Sequence, residues 1–358
     1  MKKTLVALAV LAAGSAQAGI EIYNQDKVTV NLKGDIEVAY IKSVADGSEF
    51  KQEIQDADFG FDTRYAINDD LQFGGYWEFD GANDSVTKGT STNVAAGNTY
   101  VALYSQAAGS IKFGRLDTVL DDAGIGSDYQ FGINSFFSNG SPFGGDEAVR
   151  YDIDKGAFYG AVAYKQDKNK NNKLGEDGYM VDGKLGYRVA DFDFTGFYSQ
   201  AEFKGAGANF DGLKDTGHAD TEGKEQLGAF EARWGGVENL NLQLGYYNIK
   251  LDPKAAGEED QTNQTYAFAA DYTVEKFVFA VGVSQSKYDN AIEDAANNVS
   301  YDKVTNWFAN VGYSVAPGAV VYAEVGGNDG YTDFDSTDAG VNLKQNGTGF
   351  AVGVKAEF

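Results

Sequence analysis

The stretch Val28-Thr29-Val30-Asn31-Leu32-Lys33-Gly34-Asp35-Ile36-Glu37-Val38-Ala39-Tyr40 alternates apolar and polar residues along most of its length. Val28, Val30, Leu32, Ile36, Val38 and Tyr40 fall on one side, and Thr29, Asn31, Lys33, Asp35 and Glu37 on the other. A period of two marks a strand with one apolar face. The pattern returns with Phe59, Phe61 and Tyr65 against Asp58, Asp62 and Arg64, and with Phe73, Trp77 and Phe79 against Gln72, Tyr76 and Glu78. It continues through Tyr179–Val189, Leu240–Tyr246 and Tyr266–Tyr272 to Phe350-Val352-Val354-Ala356-Phe358. About sixteen such segments follow residue 19, roughly one per 21 residues, which suits a ten-residue strand and one connection.

The connections alternate in length. Tight ones lie at Asn68–Asp70, Ala107–Gly109, Ala190-Asp191, Gly235–Glu238 and Ala316–Gly318. Long polar ones lie at 81–97, 117–146, 166–177, 201–224, 251–263, 286–299 and 328–346. Short turns on one rim and long loops on the other describe an up-and-down antiparallel barrel. No fixed-motif repeat suggests a propeller. No linker or composition break divides residues 19–358, which read as one domain.

Composition narrows the function. The 358 residues carry a net charge of −24, so bulk charge cannot hold nucleic acid and no nucleic-acid partner is expected. There is no cysteine, hence no disulfide framework or thiolate metal site, and one histidine argues against a His-based metal centre. No metal and no cofactor is expected. His218 sits in a polar loop, and a Ser–His hydrolase would depend on that residue alone. Asp167-Lys168-Asn169-Lys170-Asn171 begins like a calcium loop, but Asn172 stands where glycine is needed and Gly178 where an acid is needed.

Residues 1–18 read as an export signal: Lys2 and Lys3, an apolar run from Leu5 to Ala13, then Ala16-Gln17-Ala18 before Gly19. Losing both lysines makes the mature chain more acidic still. No later run approaches ~20 apolar residues, so no membrane helix is expected, whereas a strand barrel spans with a weaker signal. A closed sheet of sixteen strands is too wide for side chains to fill. The expected solution is inversion, with the apolar face to lipid and the polar face to a water-filled lumen. Mid-strand charges such as Asp35, Glu37, Asp58, Arg64, Lys184 and Arg233 then line the lumen.

Further residues carry a family likeness. Glu21-Ile22-Tyr23-Asn24, Leu32-Lys33-Gly34, Tyr76-Trp77-Glu78-Phe79, Phe113-Gly114-Arg115, Pro142-Phe143-Gly144-Gly145-Asp146 and the terminal Phe358 resemble the general diffusion porins of the Gram-negative outer membrane. The resemblance implies a sixteen-stranded homotrimeric barrel whose third loop, here 117–146, folds inward as a constriction. It implies partners as well: outer-membrane lipid and lipopolysaccharide, the barrel-assembly machinery that reads Phe358, and small hydrophilic solutes and cations. The loop's own composition agrees, since Tyr129, Phe131, Phe136, Phe137 and Phe143 suit packing against a wall.

The family's constriction sets basic wall residues against acids on the third loop. Here the strand-one lysine position holds Asp35, the strand-two arginine position Asp58 and the strand-four arginine position Tyr100, while Arg150 keeps its charge. The loop's two acid positions fall near Ser138 and Pro142, with Asp146 and Glu147 following. Lys33, Arg64, Glu78 and Phe143 complete the expected pore lining. Rings of Asp and Glu favour cations, so stronger cation selectivity than the family pattern is expected. Lys33, Arg64 and Arg150 are the groups that could neutralise the acidic face. Arg115 falls on the outward face with Ile111 and Phe113, and lipid would be costly for it. The resemblance makes it a trimer contact under a neighbouring subunit's second loop, here 81–97, with Asp80 and Asp84 of that neighbour as candidate partners. A substrate-selective sugar or peptide channel using Tyr76 and Tyr100, and a non-conducting structural or adhesive barrel, are the other readings.

Overall fold

Asp26 and Lys27 both take left-handed backbone conformations (φ 53° and 67°), so the chain reverses after two residues. Ala190, Asn239, Glu275 and Gly318 supply the same conformation in later short turns. The structure is a computed structural model describing residues 19–45, 47–81, 95–133, 143–210, 222–254, 259–294, 299–330 and 347–358. The export signal, Asp84, Ser138, Pro142 and His218 lie outside the described residues.

Among the described residues seventeen strand segments follow one another. The first nine are β1 Ile20–Gln25, β2 Val28–Lys42, β3 Lys51–Ala66, β4 Leu71–Asp80, β5 Ala95–Ser105, β6 Gly109–Asp117, β7 Gly144–Asp154, β8 Phe158–Gln166 and β9 Tyr179–Val189. The rest are β10 Phe192–Phe203, β11 Gly223–Val237, β12 Leu240–Pro253, β13 Gln261–Val274, β14 Phe277–Asp294, β15 Val299–Ala316, β16 Ala319–Asn328 and β17 Thr348–Glu357. Every pairing is antiparallel between neighbours, and β17 pairs β2 from Phe350↔Lys42 to Glu357↔Asp35. That seam closes the sheet into a barrel, as a strand protein in lipid requires.

Sixteen barrel positions arise from seventeen segments because β1 and β17 share one. β1 pairs the first part of β2, from Gln25↔Val28 to Ile20↔Leu32, and β17 pairs the remainder. They meet at Gly34, whose N–H and carbonyl exchange 2.8 Å bonds with Phe358. A Cβ at Gly34 would stand 2.2 Å from the Asp58 carbonyl oxygen, so only glycine allows this approach. Phe358 is therefore bonded into the seam.

Short turns follow the odd-numbered strands and long connections most of the even ones. The long loop expected at 286–299 is shorter, because β14 runs to Asp294 and β15 starts at Val299. The third loop also ends earlier than expected: β7 begins at Gly144, so Asp146 and Glu147 belong to a strand.

Outward side chains include Phe59, Phe73, Trp77, Phe113, Tyr198, Leu244, Phe279 and Val352, all exposed as a lipid-facing band requires. The inner face departs from simple polarity. Phe197, Leu227, Tyr247, Ile249 and Phe308 point inward from β10, β11, β12 and β15 and are buried with Leu120, Ile125 and Ile133. One sector of the lumen wall is thus a hydrophobic core, because the third loop lies on it.

Candidate functional site

The third loop leaves β6 at Asp117 and makes a 3-10 turn at Val119–Asp122. It then crosses the lumen side of the barrel, tied down by wall residues that accept its backbone N–H groups. The Leu120 N–H donates to Asp182 (2.8 Å), Gly124 to Glu231 (2.6 Å) and Gly126 to Gln243 (3.2 Å). The N–H groups of Tyr129, Gln130 and Phe131 all converge on the Glu324 carboxylate at 2.6, 2.9 and 2.5 Å. The Gln130 amide reaches Glu37 (2.6 Å) and the Tyr322 hydroxyl (2.9 Å), and the Tyr129 and Tyr322 rings stack at 3.9 Å. Consecutive N–H groups aimed at a carboxylate form an anion-binding concavity, here filled by the protein's own wall. The loop is folded inward.

These anchors reassign several sequence candidates. Glu37 was expected to line the pore, but it is buried beneath the loop and accepts bonds from Gln130 and Tyr322. Arg150 was expected in the pore lining as the remaining basic residue of the constriction wall. Its guanidinium is buried, pairs with Asp122 (2.5 Å) and Asp152 (2.8 Å), and donates to the carbonyls of Asp117 and Thr118. It pins the base of the loop. Asp182, Glu231, Asp271 and Glu324, all buried, were not among the candidate site residues, although alternation puts Asp182 and Glu231 on the lumen face. Their signal was an inward charge at mid-strand, which does not tell a loop anchor from a pore-lining group.

Lys33 and Arg64 both bind one acid, Asp62, at 3.2 and 2.9 Å. Arg64 also lies over the Tyr104 ring, 4.1 Å from its centroid. Asp35 pairs with Lys355 at 3.3 Å. Asp58 differs. It faces Asp35 in the β2–β3 register and Asp80 in the β3–β4 register, so three carboxylates stand in one row. One carboxylate oxygen of Asp58 is enclosed without a hydrogen-bond partner. Glu78 accepts the Tyr76 hydroxyl (2.9 Å) and the Asn98 N–H (2.9 Å). Tyr76 and Tyr100 lie side by side on the lumen wall, ring centroids 5.7 Å apart, and the Tyr76 ring lies flat over Gly60.

On the loop, Asp121 is open to lumen water yet enclosed by the wall. Burial, then Asp117 and Asp122, push its carboxyl up to about 6. Burial and Glu324 push Asp128 up to about 6 as well. Asp122 stays paired with Arg150 and with Lys184 (2.8 Å). Towards the short turns a cavity of about 1130 Å3 is lined by charges of both signs, including Lys184, Arg188, Arg233, Asp154 and Asp193.

Asp146, expected among the constriction acids, binds Arg115 through Nε (2.5 Å) and Nη2 (3.2 Å) and accepts the Asn171 amide (2.7 Å). Arg115 also donates to the Ala96 carbonyl (2.5 Å). Its partner within the chain is Asp146. Asp167 spends its carboxylate on the N–H groups of Asn171, Asn172 and Gly175, which leaves that loop no calcium geometry. Among the described residues no three His, Cys, Asp or Glu side chains are placed to hold a metal ion.

The sequence profile described as Gram-negative porin matches residues 4–333. Porin-like protein H of Photobacterium profundum is 31% identical over 342 residues, covering 92% of this chain and 95% of its own. A protein of a Halomonas species named monosaccharide porin is 28% identical over 225 residues, covering 56% and 60%. Among solved structures, the trimer form of OmpT, an outer membrane protein of Vibrio cholerae, superposes with a TM-score of 0.72 at 19% identity, covering 93% and 100%.

Proposed function

The chain belongs to the Gram-negative porin family and resides in the outer membrane, and on that premise we propose that it is a cation-selective channel for passive diffusion of small hydrophilic solutes, without a chemical step. Diffusion through the outer membrane follows from the family; the selectivity is the finer reading. The row Asp35–Asp58–Asp80, with Asp58 lacking a hydrogen-bonded or ion-paired partner in the described residues, is the observation that carries it. The lumen cations Lys33, Arg64, Arg150 and Lys184 are each held by a carboxylate. A wall whose free charge is negative enriches cations and excludes anions. Reversal potentials across a planar bilayer in a potassium chloride gradient test this, and an anion-preferring or unselective channel overturns it. A homotrimer is part of the proposal, and stepwise closure of single insertions in threes is its expected signature. A silent insertion would favour a structural or adhesive barrel.

A second reading rests on Tyr76 and Tyr100. Adjacent rings on the lumen wall, flanked by Glu78 and Asp62, offer stacking faces and hydrogen-bond acceptors to a sugar ring. Saturable flux of one monosaccharide, lost in Tyr100→Ala, would favour this over simple diffusion.

A further inference from the structure

The outside of the barrel is not evenly filled. One register row crosses five strands: Ile153 on β7, Gly160 on β8, Leu185 on β9, Gly196 on β10 and Phe230 on β11. Leu185 is 79% exposed and stands between two glycines, so the surface falls away beside it. The result is a groove of about 530 Å3. Phe158, Tyr187 and Phe194 form the next row towards the short turns, the Phe158 and Tyr187 rings 4.5 Å apart. Lys155 is the one charged residue lining the groove. It sits in the short turn between β7 and β8, where its ammonium donates to the Ala107 carbonyl and keeps two further donors.

Depth follows from the strands. Leu185 lies four residues before the end of β9, about 13 Å at 3.3 Å per residue. Short turns face the periplasm in outer-membrane barrels. The apolar groove therefore opens on the hydrocarbon of the periplasmic leaflet, and Lys155 marks its headgroup level.

We propose that this groove holds one acyl chain of a glycerophospholipid whose phosphate pairs with Lys155. An unfilled apolar groove forfeits dispersion contacts along its lining, and a flexible acyl chain restores them. The charge complements the ligand: on a chain of net charge −24, the groove presents a cation and no carboxylate to an anionic headgroup.

Gly196 makes the test clean. A Cβ built there meets nothing nearer than the Ala229 carbonyl oxygen at 4.0 Å, so a larger side chain enters the groove rather than the protein. The protein is moved from nanodiscs of phosphatidylethanolamine and phosphatidylglycerol into mild detergent, and retained lipid is counted by native mass spectrometry. The wild type should keep one phospholipid per chain. Gly196→Leu should lower that occupancy about tenfold. Lys155→Gln should lower it about fivefold, the scale of one lysine's attraction to a lipid surface. Single-channel conductance of the same samples should stay at the wild-type value, which separates this site from the pore. Equal retention in wild type and Gly196→Leu overturns the proposal. So does a changed oligomer mass in Gly196→Leu, which would assign the groove to a second copy of the chain. Should Gly196→Leu not fold, Lys155→Gln decides: unchanged retention overturns the proposal.

Discussion

At the scale of single residues, the pore's charge depends on which carboxylates are spoken for. Asp62 is held by two cations and Asp35 by one, so their charge is offset locally. Asp58 has no such partner, and its removal should cost the most selectivity. Asp58→Asn should lower the potassium-over-chloride permeability ratio at least as much as Asp35→Asn, read from reversal potentials; a reversed order would refute the assignment. Asp121 adds a pH dependence. Its carboxyl is raised to about 6, so it is charged above that value and neutral below it. Cation preference should therefore fall as pH drops through about 6, and Asp121→Asn should flatten that step. Arg115 is a third case. Its bidentate contact with Asp146 ties β6 to β7, and Asn171 brings in the loop after β8. Arg115→Ala should lower thermal stability, and Asp146→Asn should lower it by a similar amount. A trimer destabilised only by Arg115→Ala would instead favour a partner on a neighbouring subunit.

At the scale of elements, the third loop is an inserted strap rather than a surface connection. Its apolar residues Leu120, Ile125 and Ile133 are buried on the wall, and a series of wall acceptors fixes its path. Glu324 is the tightest of these, taking three successive N–H groups. Hydrogen bonds to a charged group contribute about 1.5–3 kcal/mol each. Glu324→Gln removes the charge while keeping the shape, so it should loosen the loop without opening the barrel. More frequent current flicker and faster uptake of larger sugars in liposome swelling are the expected results, with the heat-modifiable gel shift retained. The same strap explains why Phe197, Leu227, Tyr247, Ile249 and Phe308 form an apolar cluster on the inner face, where simple alternation predicts water.

At the scale of the whole molecule, stability rests on closure. β17 pairs β2 and closes the described sheet, and β1 and β17 lie end to end along β2 and meet at Gly34. Deleting Phe358 removes its two backbone bonds to Gly34 at that junction. A lower folded fraction, measured by heat-modifiable mobility, should follow even when refolding is performed without cellular factors.

Strand number, antiparallel order, inversion towards lipid and the identity of the long third connection are properties of the sequence by itself. Each depends on local information: a period of two, turn residues, and lengths between turns. The inward position of Asp35 and Asp58 was equally legible, since alternation places them there without further help. What only the tertiary structure decided is which inward charges are free. Glu37 and Asp58 look alike in sequence, yet Glu37 is spent on Gln130 and Tyr322 while Asp58 has no such bond. Arg150 is likewise consumed by Asp122 and Asp152, and Asp146 by Arg115. Their partners lie 28, two and 31 residues away for Arg150 and Asp146, and 93 and 285 residues away for Glu37. Alternation fixes the side of the sheet on which a charge emerges; only closure of the barrel and insertion of the loop fix what it meets there.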